Sequence, residues 1–124
     1  MNYYKRSKYK NKKIEYDGRI FDSSRELKRY KELKILEENN EIQNLQMQVK
    51  YELIPAQREP DVIGPKGGVK KGKLIERECS YYADFVYIKN GETIVEDTKG
   101  MRTTDYIIKR KLMLFIHNIK INEI

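Results

Sequence analysis

Apolar and polar positions alternate first at Ile14 and Tyr16, and Asp17-Gly18 then supplies a type I′ turn before Ile20 and Phe21 resume the extended pattern, which predicts a short hairpin. Ser23-Ser24-Arg25-Glu26 opens a stretch whose apolar residues, Leu27, Tyr30, Leu33, Ile35 and Leu36, largely follow helical spacing as far as Asn39-Asn40. A helix of about four turns is expected. Leu45, Met47, Val49, Tyr51 and Leu53 alternate cleanly and predict a half-buried strand ended by Pro55. Residues 56–73 combine Pro60, Gly64, Pro65, Gly67, Gly68 and Gly72 with Lys66, Lys70, Lys71 and Lys73, the composition of a flexible basic loop. From Leu74 to Ile88 the chain is β-branched and aromatic, and Asn90-Gly91 turns it back through Thr93 to Lys99 as a second hairpin. Helical periodicity returns from Thr103 to His117, and Ile119-Lys120-Ile121 predicts a closing strand. Hairpin, helix, strands, helix and strand in this order predict an α/β fold with a mixed central β-sheet flanked by helices.

Length and charge narrow the picture. A chain of 124 residues suits one domain, expected over 14–124. Lys and Arg number 26 against 19 Asp and Glu, a net charge of +7, which points to a polyanionic partner. Lys5, Arg6, Lys8, Lys10, Lys12 and Lys13 lie in an arm over 1–13 that has three tyrosines and no acid, a composition suited to phosphates and bases. Cys79 and His117 are the single cysteine and histidine, which leaves no internal disulfide, structural zinc site or Cys-His pair and suits a reducing cytoplasm. His117 follows the apolar run Leu112–Ile116 and is assigned to packing or a helix end. That run of five residues is too short for a signal peptide or membrane span, so a soluble cytoplasmic protein with no membrane partner is expected. The glycines of the 64–72 cluster match no phosphate-cradling loop, so no nucleotide cofactor is expected.

The chemistry lies in the second hairpin. A two-residue turn at Asn90-Gly91 pairs Lys89 with Glu92 and Val86 with Val95, and the same register sets Asp84 opposite Asp97. Opposed carboxylates destabilise a sheet unless a proton or a cation sits between them. Lys99, two residues beyond Asp97, shares its face, whereas Glu96 points the other way. Glu26, three residues after Ser23, completes a capping box, a structural reason for an acid at that place. A carboxylate pair beside apolar surface suits a hard cation such as Mg2+.

Asp84, followed after twelve residues by Asp97-Thr98-Lys99, resembles the split acidic motif of the PD-(D/E)XK nuclease superfamily, with Ala83 standing where the motif has its proline. Phe21-Asp22-Ser23-Ser24-Arg25-Glu26 before a helix, Leu45–Gln48 on a strand, Tyr82-Ala83-Asp84-Phe85, Val95–Gly100 and Lys109-Arg110-Lys111 extend the likeness over most of the chain. The order is similar to that of small phage- and prophage-encoded nucleases related to Holliday junction resolvases. The resemblance implies a restriction-endonuclease-like core and a Mg2+- or Mn2+-dependent endonuclease that cuts four-way DNA junctions as a homodimer, in the host cytoplasm if phage-encoded. It implies that Glu26, Asp84 and Asp97 bind the metal, that the Thr98 carbonyl completes its shell, and that Lys99 positions or activates the attacking water. By the same resemblance Gln48 supports the site from the neighbouring strand and faces the DNA, while Lys109 and Lys111 contact phosphates. Two other functions match the same residues: a less selective PD-(D/E)XK endonuclease of repair, nicking or transposition type, and a non-catalytic basic nucleic-acid-binding module. Loop 56–73 could reach into a junction, act as a hinge for exchange between protomers, or be disordered.

Overall fold

The computed structural model describes residues 13–99 and 101–124, so Lys5, Arg6, Lys8, Lys10 and Lys12 of the basic arm lie outside the described residues, and Lys13 is exposed at their start. Asp17 and Gly18 both take positive φ, as a type I′ turn requires, and join β1 (Ile14–Tyr16) to β2 (Arg19–Phe21). Ser23 then caps α1 (Ser24–Glu38), its Oγ accepting the Glu26 amide at 3.1 Å. The remaining elements are β3 (Gln43–Ile54), β4 (Gln57–Arg58), β5 (Val62–Ile63), β6 (Val69–Lys70), β7 (Leu74–Glu76), β8 (Cys79–Lys89), β9 (Glu92–Asp97), α2 (Thr104–His117) and β10 (Asn122–Glu123). The central sheet runs β10-β9-β8-β3, antiparallel except for the parallel β10–β9 pair. The chain is therefore α/β with a mixed central sheet and two helices, as its periodicities predict.

Three expectations are corrected. Residues 56–73, expected as a flexible basic loop, contain short strands: β5 pairs with β6, and β4 pairs with β7, which follows the segment. The run from Leu74 to Ile88 is not one strand, because Arg77-Glu78 separates β7, which belongs to that outer ribbon, from β8 in the central sheet. Branched residues serve both contexts, so the sequence pattern does not mark the break. The closing strand is Asn122–Glu123 rather than Ile119–Ile121. Asn118 adopts the left-handed conformation and the Ile119 amide bonds back to the Met113 carbonyl, so that backbone belongs to the helix end, while Ile121 is buried in the core. His117 has the structural role assigned to it, with Nε2 2.7 Å from the Glu52 carbonyl and its ring edge-on to Tyr51.

Two hydrophobic clusters cover opposite faces of the sheet. Phe85, Tyr87 and Ile94 pack with Tyr30 and Leu33 of α1, whereas their chain neighbours Val86 and Val95 pack with Tyr106 and Met113 of α2. Along β3 the alternation changes face: Leu45 and Met47 join the α1 cluster, but Val49, Tyr51 and Leu53, of the same parity, join the α2 cluster. Along β8, Tyr81 and Ala83 likewise part from Phe85 and Tyr87. The change falls at Gln48, whose φ of 51° lies in the left-handed region, and at Asp84 across from it, while the pairs Met47–Phe85 and Val49–Ala83 on either side keep one register.

α1 is also locked to the sheet by charge. Arg29 Nε and Nη2 donate to the two oxygens of Glu96 at 2.8 and 2.6 Å, Tyr87 OH donates to the same carboxylate, and the Glu96 side chain is 1% exposed. Among the described residues, no helix is long and apolar enough to cross a membrane.

Breaking a buried pair from one side strands the other charge. Arg29→Met is expected to lower the unfolding free energy by about 3–5 kcal/mol in urea titrations, with Arg29→Met/Glu96→Leu recovering most of the loss. A loss below about 1 kcal/mol, the range of an exposed pair, would contradict this role.

Candidate functional site

The register of the β8–β9 hairpin is the expected one, with Lys89 paired to Glu92 and Val86 to Val95, but the ladder ends at Phe85–Glu96. Asp84 and Asp97 are therefore neighbours without being a ladder pair, which corrects the opposed arrangement. Asp84 Oδ2 instead accepts the Thr98 amide at 2.9 Å and the Thr98 hydroxyl at 2.8 Å. Its Oδ1 accepts from Gln48 Nε2 at 3.2 Å, and the same nitrogen donates to Glu26 Oε1 at 3.3 Å. An amide NH2 has two hydrogens, so Gln48 can serve both carboxylates at once. The left-handed backbone at Gln48 thus coincides with the side chain that ties α1 to β8.

Glu26 enters from the first turn of α1. Only half of its capping box is realised: its amide donates to Ser23, but its carboxylate turns inward to Gln48 and Asp84. The side chain is 5% exposed. Burial, and then the carboxylates of Asp84 and Asp22, push its pKa up to about 7, while hydrogen bonds from Gln48 and the Asp22 backbone act in the opposite direction.

Asp97 enters from the end of β9 and is equally buried. Its Oδ2 accepts from Tyr81 OH at 2.6 Å, and its Oδ1 lies 3.2 Å from Lys99 Nζ. Burial raises its pKa; the Tyr81 hydrogen bond opposes that, Asp84 adds to it, and Lys99 opposes it. The Lys99 ammonium also sits 4.1 Å from the centroid of the Tyr106 ring, and Arg25 Nη1 donates to the Lys99 carbonyl at 2.9 Å. The strand end is thereby held to α1 on one side and α2 on the other.

These groups line an open cavity of about 770 Å³ whose walls include Glu26, Asp84, Asp97, Thr98, Lys99 and Lys109. Gln48, itself exposed, bridges two of the acids without lining the cavity. Lys111 is exposed and does not line the cavity, which separates it from Lys109. Sequence reasoning missed Tyr81, Tyr106 and Arg25. Tyr81 has the wrong parity to join Asp84 on a regular strand, and only the change of face brings its hydroxyl to Asp97.

Carboxylate oxygens are hard donors of the type that Mg2+ and Mn2+ prefer, and each retains accepting capacity beside its present partners. Burial first, and the Asp84 carboxylate in addition, raises the pKa values of Glu26 and Asp97, a tension that a cation would relieve. Among the described residues, no group of three or more His, Cys, Asp and Glu side chains is placed to hold a metal ion. The donor set fits a cation held by one or two carboxylates and water, the usual mode for Mg2+.

Because Glu26 titrates near 7 in the fold and near 4.5 when unfolded, the folded state holds an extra proton between those values. Its stabilising contribution is complete below about 4.5 and is lost as pH rises through 7, with Asp97 acting in the same direction. Urea midpoints are expected to fall between pH 5 and pH 8, and Glu26→Gln is expected to flatten that decline. An equally steep decline in the variant would refute the assignment.

No curated protein and no solved structure matches the chain. The profile of DUF1064, a family described as a protein of unknown function, matches residues 6–122. That match takes in the whole site and nearly all of the fold, and the chain belongs to the DUF1064 family.

Proposed function

We propose that this chain is a metal-dependent, structure-specific endodeoxyribonuclease of PD-(D/E)XK type, with a restriction-endonuclease-like core, that resolves four-way DNA junctions. The observation that carries the reading is the meeting of Glu26, Asp84 and Asp97 with Lys99 in one cavity of a strongly basic protein. Three acids repel a phosphate backbone, so their presence in a phosphate-seeking protein is accounted for by a cation between protein and substrate.

In this reading Mg2+ or Mn2+ would be held by one or two of Glu26, Asp84 and Asp97 together with water, with the Thr98 carbonyl as a further oxygen. The bound ion would lower the pKa of a water and offset charge on the scissile phosphate. Thr98 and Gln48 fix the Asp84 carboxylate in place by donating to both of its oxygens. Tyr81 anchors Asp97 through Oδ2 alone. Lys99, held between Asp97 and the face of Tyr106, orients the water and presents its ammonium to negative charge that develops during attack. Lys109 at the cavity wall takes a flanking phosphate. Lys111, farther out, and Lys5, Arg6, Lys8, Lys10, Lys12 and Lys13 of the basic arm add attraction for the duplex.

Resolution needs two symmetric cuts, so the functional unit is a homodimer. Ile108, Leu114 and Phe115 leave α2 with an apolar outer surface, Phe115 being 86% exposed, and a second copy would cover it.

A labelled four-way junction and a matched linear duplex, each with Mg2+ or with EDTA, test the reading beside Asp97→Asn. Paired symmetric cuts are expected in the junction alone, with metal alone, and at least about 100-fold slower in the variant, the scale of losing one transition-state-stabilising group. Equal cutting of both substrates would indicate a less selective nuclease. Salt-sensitive binding that ignores Mg2+ and leads to no cut would indicate a binding module.

A further inference from the structure

The ribbon between β3 and β8 is built to project and not to pack. β5 and β6 pair through Val62–Lys70 and Ile63–Val69, and among the described residues no third strand joins them. Ile63 and Val69, directly opposite each other, are 79% and 73% exposed. Val62 and Ile75 are exposed as well, so the ribbon offers branched aliphatic side chains that none of the described residues cover. A lone two-stranded ribbon is marginal in water, and it gains from a partner.

The ribbon is nevertheless held in shape. Glu59 N–H donates to the Lys73 carbonyl at 2.8 Å, Arg58 Nη1 to the Gly72 carbonyl at 3.0 Å, and Gly72 N–H to Asp61 Oδ1 at 3.0 Å. A Cβ on Gly72 would lie 1.8 Å from the Glu59 carbonyl oxygen, so this close approach requires glycine. At the tip, Gly64 N–H donates to the Gly68 carbonyl at 2.7 Å, which closes a tight loop that exposes Pro65 and Lys66.

Charge names the partner. Between Val62 and Lys73 the ribbon carries Lys66, Lys70, Lys71 and Lys73 and no acid. Lysines at the turn and along the returning strand, beside an aliphatic tip, match a polyanion that also offers apolar surface, and nucleic acid supplies both in its phosphates and its base faces. Two-stranded ribbons enter DNA grooves, and aliphatic or proline wedges lodge against unstacked base steps. The ribbon joins the central sheet at Cys79, five residues from Asp84 along β8, about 17 Å at the usual rise per residue. One turn of duplex, about 34 Å long, exceeds the separation between the ribbon's base and Asp84, so one DNA molecule of a few turns can reach from the cavity along the ribbon.

We infer that the 57–76 ribbon is a DNA-binding arm whose lysines hold phosphates and whose Ile63–Val69 tip packs against bases opened at a branch point. The inference rests on the nuclease reading for its choice of branched DNA, because a branch presents base faces that an intact duplex stacks away.

The test uses the full chain in EDTA, with a four-way junction carrying 2-aminopurine at the branch and a linear duplex carrying it at mid-length. Wild type is expected to raise the 2-aminopurine fluorescence of the junction alone. Ile63→Ser/Val69→Ser is expected to abolish that rise and the preference for junction over duplex, with the salt dependence of binding retained. Replacing Lys66, Lys70, Lys71 and Lys73 together by alanine is expected to reduce the slope of log K against log salt by about 3 to 4, given about 0.9 per phosphate contact. Wild-type values in both variants would overturn the arm, and they would leave the nuclease reading standing if Mg2+ still produced junction cleavage. Loss in both variants from a protein that cuts nothing in Mg2+ would establish the arm and overturn the nuclease reading.

Discussion

At Gln48 and Asp84, two paired strands hand their hydrophobic side chains from one face of the sheet to the other, and the site depends on that crossing. On a regular sheet, residues that face α1 and residues that face α2 are separated by the sheet itself. Glu26 arrives with α1, whereas Asp97 follows Val95 on the α2 side. Asp84 stands where the faces exchange, so its charge reaches both carboxylates and adds to the rise that burial gives each pKa. A left-handed non-glycine residue such as Gln48 typically costs about 1–3 kcal/mol and persists where its surroundings enforce it. Here the enforcement comes from the β3–β8 ladder on either side and from the two hydrogen bonds of the Gln48 amide.

Consecutive acids on β9 show two ways of keeping a buried charge. Glu96 faces α1 and is matched in full: a two-point contact with Arg29 and a hydroxyl from Tyr87 leave it electrically satisfied and structural. Asp97 faces the cavity with a tyrosine hydroxyl and one lysine, and shares its surroundings with Asp84 and, beyond it, Glu26. Lys99 alone does not balance that group. The imbalance distinguishes this site from an ordinary ion pair, and in the proposed function a cation and an anionic substrate would correct it, with the basic surroundings supplying attraction at longer range.

The sequence was most informative where local chemistry leaves one solution. Asn90-Gly91 admits a two-residue turn that sets the register of the following strands, and the pairs from Lys89–Glu92 to Phe85–Glu96 follow it residue by residue. Asp17-Gly18 and the cap at Ser23 were legible for the same reason. Asp84 and Asp97, with Lys99 beside them, were therefore legible as neighbours, although the ladder stops one step before the two aspartates would oppose each other. What the sequence hid is tertiary. Nothing about a glutamine announces positive φ, so the change of face and the approach of Tyr81 to Asp97 could not be anticipated. Leu74 and Ile75 look like sheet residues but belong to the projecting ribbon, where their neighbours leave them exposed.

The most direct test of the account is anomalous diffraction from crystals grown with Mn2+ and no DNA. A single strong peak is expected with oxygens of at least two of Glu26, Asp84 and Asp97 about 2.0–2.3 Å away, since octahedral oxygen coordination suits this ion. A cavity without such a peak at saturating Mn2+, or a peak that survives unchanged in Asp84→Asn crystals, would contradict the claim that these carboxylates are gathered to hold a metal.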